Sequence, residues 1–187
     1  MNRSQRPATA PGAAVQRPPL YTPEQRVRRN QSRWTLVQGL LAPVQFVVFL
    51  ISAALVLRYL ATGEGLWAAT LSVVVKTLVL YTIMVTGAIW EKVVFGQYLF
   101  APAFYWEDVF SMLVLALHTA YLLALATGAL GARGQMLLAL AAYATYVVNA
   151  AQFVWKLRLA RLDEAARAAS SPQTEGKPRP ASQGVVA

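Results

Sequence analysis

The sequence predicts an all-α polytopic membrane protein: a four-helix transmembrane bundle with disordered tails. Three observations predict it. The 187 residues are 57% hydrophobic and only 13% charged, where an ordinary soluble domain carries about 25% charged residues. Four apolar stretches follow one another at about 34–57, 66–90, 109–130 and 136–155, each near the roughly 20 residues that a helix needs to cross a ~30 Å hydrocarbon core. The charges are segregated: of 17 Lys+Arg, seven lie at or before Arg33 and six from Lys156 onward. Strand-like alternation is absent, and the apolar runs are too long for barrel strands.

The first 20 residues form a basic, Pro-broken tail with little to bury, expected to be disordered. They do not read as a signal peptide, because no apolar core follows the first basic residues. A short helix is expected from Pro23 to Arg33, with Thr22 as N-cap, Pro23 at the first helical position and Glu24 in the first turn. The membrane domain then occupies 21–164. After Glu164 the chain turns to Ala, Ser, Pro and Gly, and 165–187 is expected to be a second disordered tail.

Within the domain, the connections 58–65 and 131–135 are short and contain Gly, whereas 91–106 is longer and holds Pro102. Trp34, Tyr59, Trp67, Trp90, Tyr98, Trp106 and Trp155 fall near the span ends, as an interfacial aromatic belt should. The basic termini place both chain ends in the cytoplasm by the positive-inside rule, and four crossings bring 91–106 to the same face. The absence of Cys excludes disulfides, thiolate catalysis and zinc–thiolate or iron–sulfur sites. A single His excludes a site with two imidazole ligands from one chain, which argues against a diheme carrier.

Ionisable groups in a bilayer are functional candidates by default. Lys76 lies midway along the second span and His118 midway along the third. Glu91 and Lys92 close the second span, while Glu107 and Asp108 open the third. Helical spacing places Glu107, Ser111 and His118 on one face, with Glu107 and His118 separated by roughly 16 Å at 1.5 Å per residue. Thr145, Asn149, Gln152 and Lys156 form a stripe on the fourth span, and Gln38, Gln45 and Ser52 one on the first. All three stripes must face the bundle interior, since lipid offers no hydrogen-bond partners. Interhelical hydrogen bonding alone accounts for many such residues. The density of carboxyls around one loop, beside Trp90, Tyr98, Tyr105 and Trp106, favours a site there.

Three segments carry a resemblance to a known family: YTPEQRVRRNQSRWTLVQGLLAPVQF from Tyr21, VVKTLVLYTIMVTGAIWEKVVFGQYLFAPAFYWEDVFSMLVLALHTAYL from Val74 to Leu122, and YATYVVNAAQFVWKLRLARLDE from Tyr143 to Glu164. Over about residues 20–164 the chain resembles the 3-vinyl bacteriochlorophyllide hydratases. The resemblance implies water addition to the C3 vinyl group of a chlorophyllide, giving a 1-hydroxyethyl group in bacteriochlorophyll synthesis. It also implies a bacterial inner or intracytoplasmic photosynthetic membrane. The pigment is a flat apolar disc with one carboxylate and a central magnesium, so no cofactor beyond the substrate's own magnesium is expected. The resemblance brings no residue roles with it.

Chemistry suggests the roles. Hydration of a vinyl group needs an acid to protonate the terminal carbon and a base or acceptor for the attacking water. Glu91, Glu107 and Asp108 are the expected acid/base set, with the assignment between them open. Lys92 balances them or meets the pigment carboxylate. His118 is the candidate axial ligand to the substrate magnesium or, alternatively, a proton donor. Lys76, Tyr81, Trp106 and Asn149 are candidate substrate-lining residues. Expected partners are the chlorophyllide, the lipid bilayer, other enzymes of bacteriochlorophyll synthesis and a second copy of the chain, with no nucleic acid. The rival function is a non-catalytic pigment-binding or photosystem-assembly protein. A transporter reading lacks support, because no repeat relates the two halves and Pro43 is the only break signal within a span.

Overall fold

The computed structural model describes residues 19–170; the expected tails over 1–18 and 171–187 lie outside the described residues. Five helices follow in order: α1 (Pro23–Gln31), α2 (Arg33–Thr62), α3 (Leu66–Phe95), α4 (Tyr105–Thr127) and α5 (Ala132–Ser170). The last four are long and apolar enough to cross a membrane, so the chain is an all-helical, multi-pass membrane protein.

The short helix α1 starts as its residues dictate. The Thr22 hydroxyl accepts from the Gln25 amide while the Gln25 side chain accepts from the Thr22 amide, and Pro23 needs no partner at the first position. It ends at Gln31, two residues short of the expected Arg33. Ser32 leaves helical geometry there and uses its hydroxyl to cap α2 at the Trp34 amide. Pro43 does not interrupt α2, in keeping with the tolerance of membrane helices for internal proline. The helix α5 continues six residues beyond Glu164, through 165–170, where the sequence suggested a tail. The segment is Ala-rich and has no Gly or Pro before Pro172, so helix propensity carries it on.

Both long helices that flank the central connection are extended relative to the apolar pattern. The helix α3 runs to Phe95 and α4 begins at Tyr105, leaving only 96–104 as the connection. Glu91 and Lys92 are therefore helical residues of α3, and Glu107 and Asp108 occupy the first turn of α4. Hydropathy alone cannot extend a span through charged residues, which is why the sequence boundary fell inside the helices. Gly96 (φ 88°) ends α3 in the left-handed region, with its amide bonded to the Lys92 carbonyl.

The packing is that of two antiparallel hairpins. The pairs α2–α3 and α4–α5 pack closely, and the hairpins meet each other along a thinner seam. Leu36, Leu40, Phe46, Val47, Ile51, Leu78, Val85, Leu123 and Val154 stay exposed on the outside, where lipid would meet them. Buried inside are Gln45, Ser52, Lys76, Thr77, Glu91, Glu107, Asp108, Ser111, His118, Gln135 and Asn149. Ser52 ties three helices together, bonding the Ser72 hydroxyl at 2.7 Å and the Tyr143 hydroxyl at 2.5 Å. At one end of the bundle, α1 and the connection 96–104 meet: Tyr21 stacks on Phe95 and packs against Phe104, and Trp90 and Phe153 complete this aromatic group. Arg26 on α1 pairs with Glu164 on α5 at 3.2 Å.

If Ser52 holds the hairpins in register, Ser52→Ala and Tyr143→Phe each lower stability in detergent by about 1 kcal/mol. The double variant loses less than the sum, because both act through one bond; additive losses in thermal unfolding would contradict that coupling.

Candidate active site at the seam between the two hairpins

The aromatic end of the bundle holds all three candidate carboxyls. Glu91 from α3 and Asp108 from α4 are buried and converge on one stretch of backbone. Each accepts from the connection between their helices: Asp108 Oδ2 from the Phe100 amide at 2.7 Å, and Glu91 Oε2 from the Ala101 amide at 3.3 Å. Phe100 is the one non-Gly residue with positive φ (60°) among the described residues. Such a backbone needs local support, and the paired carboxyls supply it. Phe104 follows, buried, and packs on Trp90, Phe95 and Phe153.

Glu107 sits beside this pair with a different partner. Its Oε2 takes the Lys156 ammonium at 2.5 Å, and that ammonium also lies 5.1 Å from the centre of the Phe104 ring. Glu107 and Lys156 line a cleft of about 310 Å³ together with Pro19, Arg26, Gln152 and Glu164. The cleft gives water a route to Glu107. At the rim, outside the spans, burial pushes the Tyr21 phenol above its ordinary pKa, although the Arg29 guanidinium 4.6 Å from the ring centre pulls the other way. Tyr21 is thus a neutral phenol.

Further along the seam the polar groups continue. Asn149 Nδ2 donates to Ser111 Oγ at 2.9 Å, joining the stripes of α4 and α5. Beyond them His118 is fully buried, with Nδ1 2.8 Å from the Val114 carbonyl. A carbonyl only accepts, so Nδ1 carries the hydrogen and Nε2 bears the lone pair. Nε2 has no hydrogen-bond partner among the described residues. The His118 ring lies 5.9 Å from that of Tyr143, and the Lys76 ammonium lies 3.9 Å from the centre of the Tyr146 ring. Both atoms of the Gln45 amide are likewise buried without a partner among the described residues.

The structure thus brings Glu91, Glu107 and Asp108 together, and sets Asn149, His118 and Lys76 along the same seam. It does not bring Lys92 or Trp106 into it. Lys92 is exposed and donates to the Gly96 carbonyl at 2.8 Å, closing the end of α3, and Trp106 points outward. Tyr81 is half-buried, with its hydroxyl bonded to Thr119 at 2.7 Å. Of the α2 stripe, Gln38 bonds Thr86 and Ser52 bonds its two hydroxyl partners, so both serve packing. Sequence reasoning overlooked Tyr143, Tyr146 and Phe104 as residues of the seam. Tyr146 precedes Asn149 by three residues and Tyr143 precedes Tyr146 by three, so each shares a helical side with the next, and that spacing was the available signal.

Comparison with known proteins identifies relatives of this chain. The family model described as 2-vinyl bacteriochlorophyllide hydratase matches residues 21–159. The 2-vinyl bacteriochlorophyllide hydratase of Cereibacter sphaeroides is 71% identical over 155 residues, which cover 83% of this chain and 95% of that protein. The protein of the same name from Rhodobacter capsulatus is 66% identical over 152 residues, covering 81% and 88% respectively. No solved structure matches the chain. The match takes in α1, all four long helices as far as Leu159 and every carboxyl of the seam, and the chain belongs to the 2-vinyl bacteriochlorophyllide hydratase family.

Proposed function

We propose that this protein is a hydro-lyase that adds water across the vinyl group of a chlorophyllide or bacteriochlorophyllide, giving a 1-hydroxyethyl side chain in bacteriochlorophyll synthesis. The relatives' names number the vinyl position 2, where the resemblance numbered it 3; water addition across a vinyl double bond is the chemistry in either case. The observation that supports this reading most is the group of three buried carboxyls at one end of a polar seam.

The reaction adds one proton and one hydroxyl, with no change that calls for a redox cofactor. A carboxyl proton goes to the terminal vinyl carbon, and the macrocycle delocalises the cation that forms on the inner carbon. Water attacks that carbon and its surplus proton passes to a carboxylate; transfer of a proton back to the acid, directly or through the water of the cleft, then restores the starting state. Glu91 and Asp108 are buried on consecutive amides of one turn, and the repulsion between two such carboxyls is relieved when one of them holds a proton, so the pair suits the acid. Glu107 lies on the water-accessible cleft with Lys156 balancing its charge, so it suits the group that orients and deprotonates water. The disc of the pigment would lie along the seam, with His118 Nε2 as axial ligand to the substrate magnesium; the carbonyl bond at Nδ1 fixes the tautomer that this needs. Asn149 and Tyr81 would line the slot.

The positive-inside reading sets both ends and the 96–104 connection on the cytoplasmic side of a bacterial inner or intracytoplasmic photosynthetic membrane. The carboxyls then draw water and protons from the cytoplasm. Self-association and contact with other enzymes of pigment synthesis belong to the same proposal.

Incubation of the purified protein with chlorophyllide in ¹⁸O-labelled water yields a labelled hydroxyethyl product; a merely pigment-binding or assembly protein yields none. Glu91→Gln and Asp108→Asn keep an acceptor for the Ala101 and Phe100 amides but remove the acid. Each therefore lowers turnover by about 100-fold or more with little change in melting temperature. Full turnover in both, and in Glu107→Gln, would sink the carboxyl mechanism. His118→Ala weakens pigment binding and shifts its absorption bands, whereas unchanged affinity and spectrum would exclude axial ligation.

A further inference from the structure

Among the ionisable groups inside the bundle, Lys76 stands alone. Lys156 has Glu107. Glu91 and Asp108 accept from the two loop amides. The Lys76 side chain is fully buried, and its ammonium has no hydrogen-bond partner among the described residues. Its nearest compensation is the face of the Tyr146 ring at 3.9 Å. A ring quadrupole offsets only part of what an ammonium loses when it leaves water. Packing alone is a poor reason to keep a lysine there, because an apolar side chain of similar length would fill the same space without that penalty.

The group that faces Lys76 is the neutral Tyr146 ring, and no carboxylate pairs with the ammonium among the described residues. Lys76 lies midway along α3, away from Glu91 near the helix end. Two further polar groups of the bundle interior, the Gln45 amide and His118 Nε2, are also buried without partners among the described residues. The missing element is an anion, and the ligand class proposed above carries a single one.

We propose that Lys76 is the receptor for the carboxylate of the pigment. This rests on the hydratase reading for the identity of the ligand. Binding brings the carboxylate to the buried ammonium and sets the direction of the disc in the seam: the acid edge at Lys76 and the vinyl-bearing edge towards Glu91 and Asp108. Repulsion between the substrate carboxylate and the charge that remains on the Glu91–Asp108 pair disfavours the reversed orientation. The pigment's acid group is then a specificity determinant, and esterified pigment is excluded from productive binding. Lys92, the lysine that the sequence suggested for this task, is instead exposed and engaged with the Gly96 carbonyl.

The test pairs the carboxylate with the lysine. Binding of chlorophyllide free acid and of its methyl ester is measured by pigment absorbance in detergent for the wild type, Lys76→Met and Lys76→Arg, and each is also assayed for hydroxyethyl product. The wild type is expected to prefer the acid by about thirtyfold or more. Lys76→Met brings the acid down to the affinity of the ester and leaves the ester unchanged or improved, while Lys76→Arg keeps a preference for the acid. A wild type that binds acid and ester equally overturns the proposal, even where Lys76→Met does not fold. So does a folded Lys76→Met protein that keeps the wild-type preference, or loss of the preference on Lys92→Met instead. The hydratase reading fails differently: the preference and its dependence on Lys76 persist, but no variant and no wild type forms hydroxyethyl product.

Discussion

Two carboxyls from neighbouring helices, Glu91 and Asp108, close on consecutive amides of the chain that joins those helices, and the site end of the molecule depends on that clamp. It holds Phe100 in a left-handed conformation (φ 60°) that a bulky residue adopts only under constraint. That turn directs Phe104 into the bundle, where Phe104 anchors Trp90, Phe95, Phe153 and Tyr21. Through Tyr21 and the Arg26–Glu164 pair, α1 is in turn fixed over the cleft. The same two carboxyls are the proposed acid. A group used both to shape its own loop and to move a proton is held in place before substrate arrives, which is what proton transfer to carbon requires.

The second constraint is the solvent. Lipid offers nothing to a polar side chain, so in a four-helix bundle such a group turns inward or, like Thr82, bonds a carbonyl of its own helix. Within each hairpin the helices pack tightly and leave little room, whereas the seam between hairpins is thinner and collects the polar groups of all four spans. A planar apolar ligand with a few polar points suits such a seam. In the proposed complex its faces meet aromatic and aliphatic side chains, and its polar points meet the carboxyl cluster, the His118 lone pair and the Lys76 ammonium.

The four spans were legible because length and apolar composition leave no other fold for residues 34–155, and α1 because Thr22, Pro23 and Glu24 form an N-terminal signal, to which the structure adds the Gln25 side chain. Helical spacing also placed Glu107, Ser111, His118 and Asn149 on interior faces, where they lie. Other features depend on contacts between distant residues. Nothing local in the sequence says that Lys156 reaches Glu107, that Lys92 folds back on its own helix end, or that Tyr143 and Tyr146 point at His118 and Lys76. Lys92 and Lys76 are the instructive pair. Proximity in sequence favoured Lys92 beside the carboxyls, but 100° per residue turns it outward from Glu91, and tertiary packing leaves Lys76 as the buried cation.

The central claim is that the vinyl group meets the Glu91–Asp108 pair at the clamped end of the seam. A structure of the protein with chlorophyllide bound measures this directly, as the distance from the terminal vinyl carbon to the nearest carboxyl oxygen. The account predicts about 3–3.5 Å, the reach of a proton in flight, to Glu91 or Asp108. A vinyl group that faces lipid, or lies in the seam with no carboxyl oxygen near its terminal carbon, would contradict it.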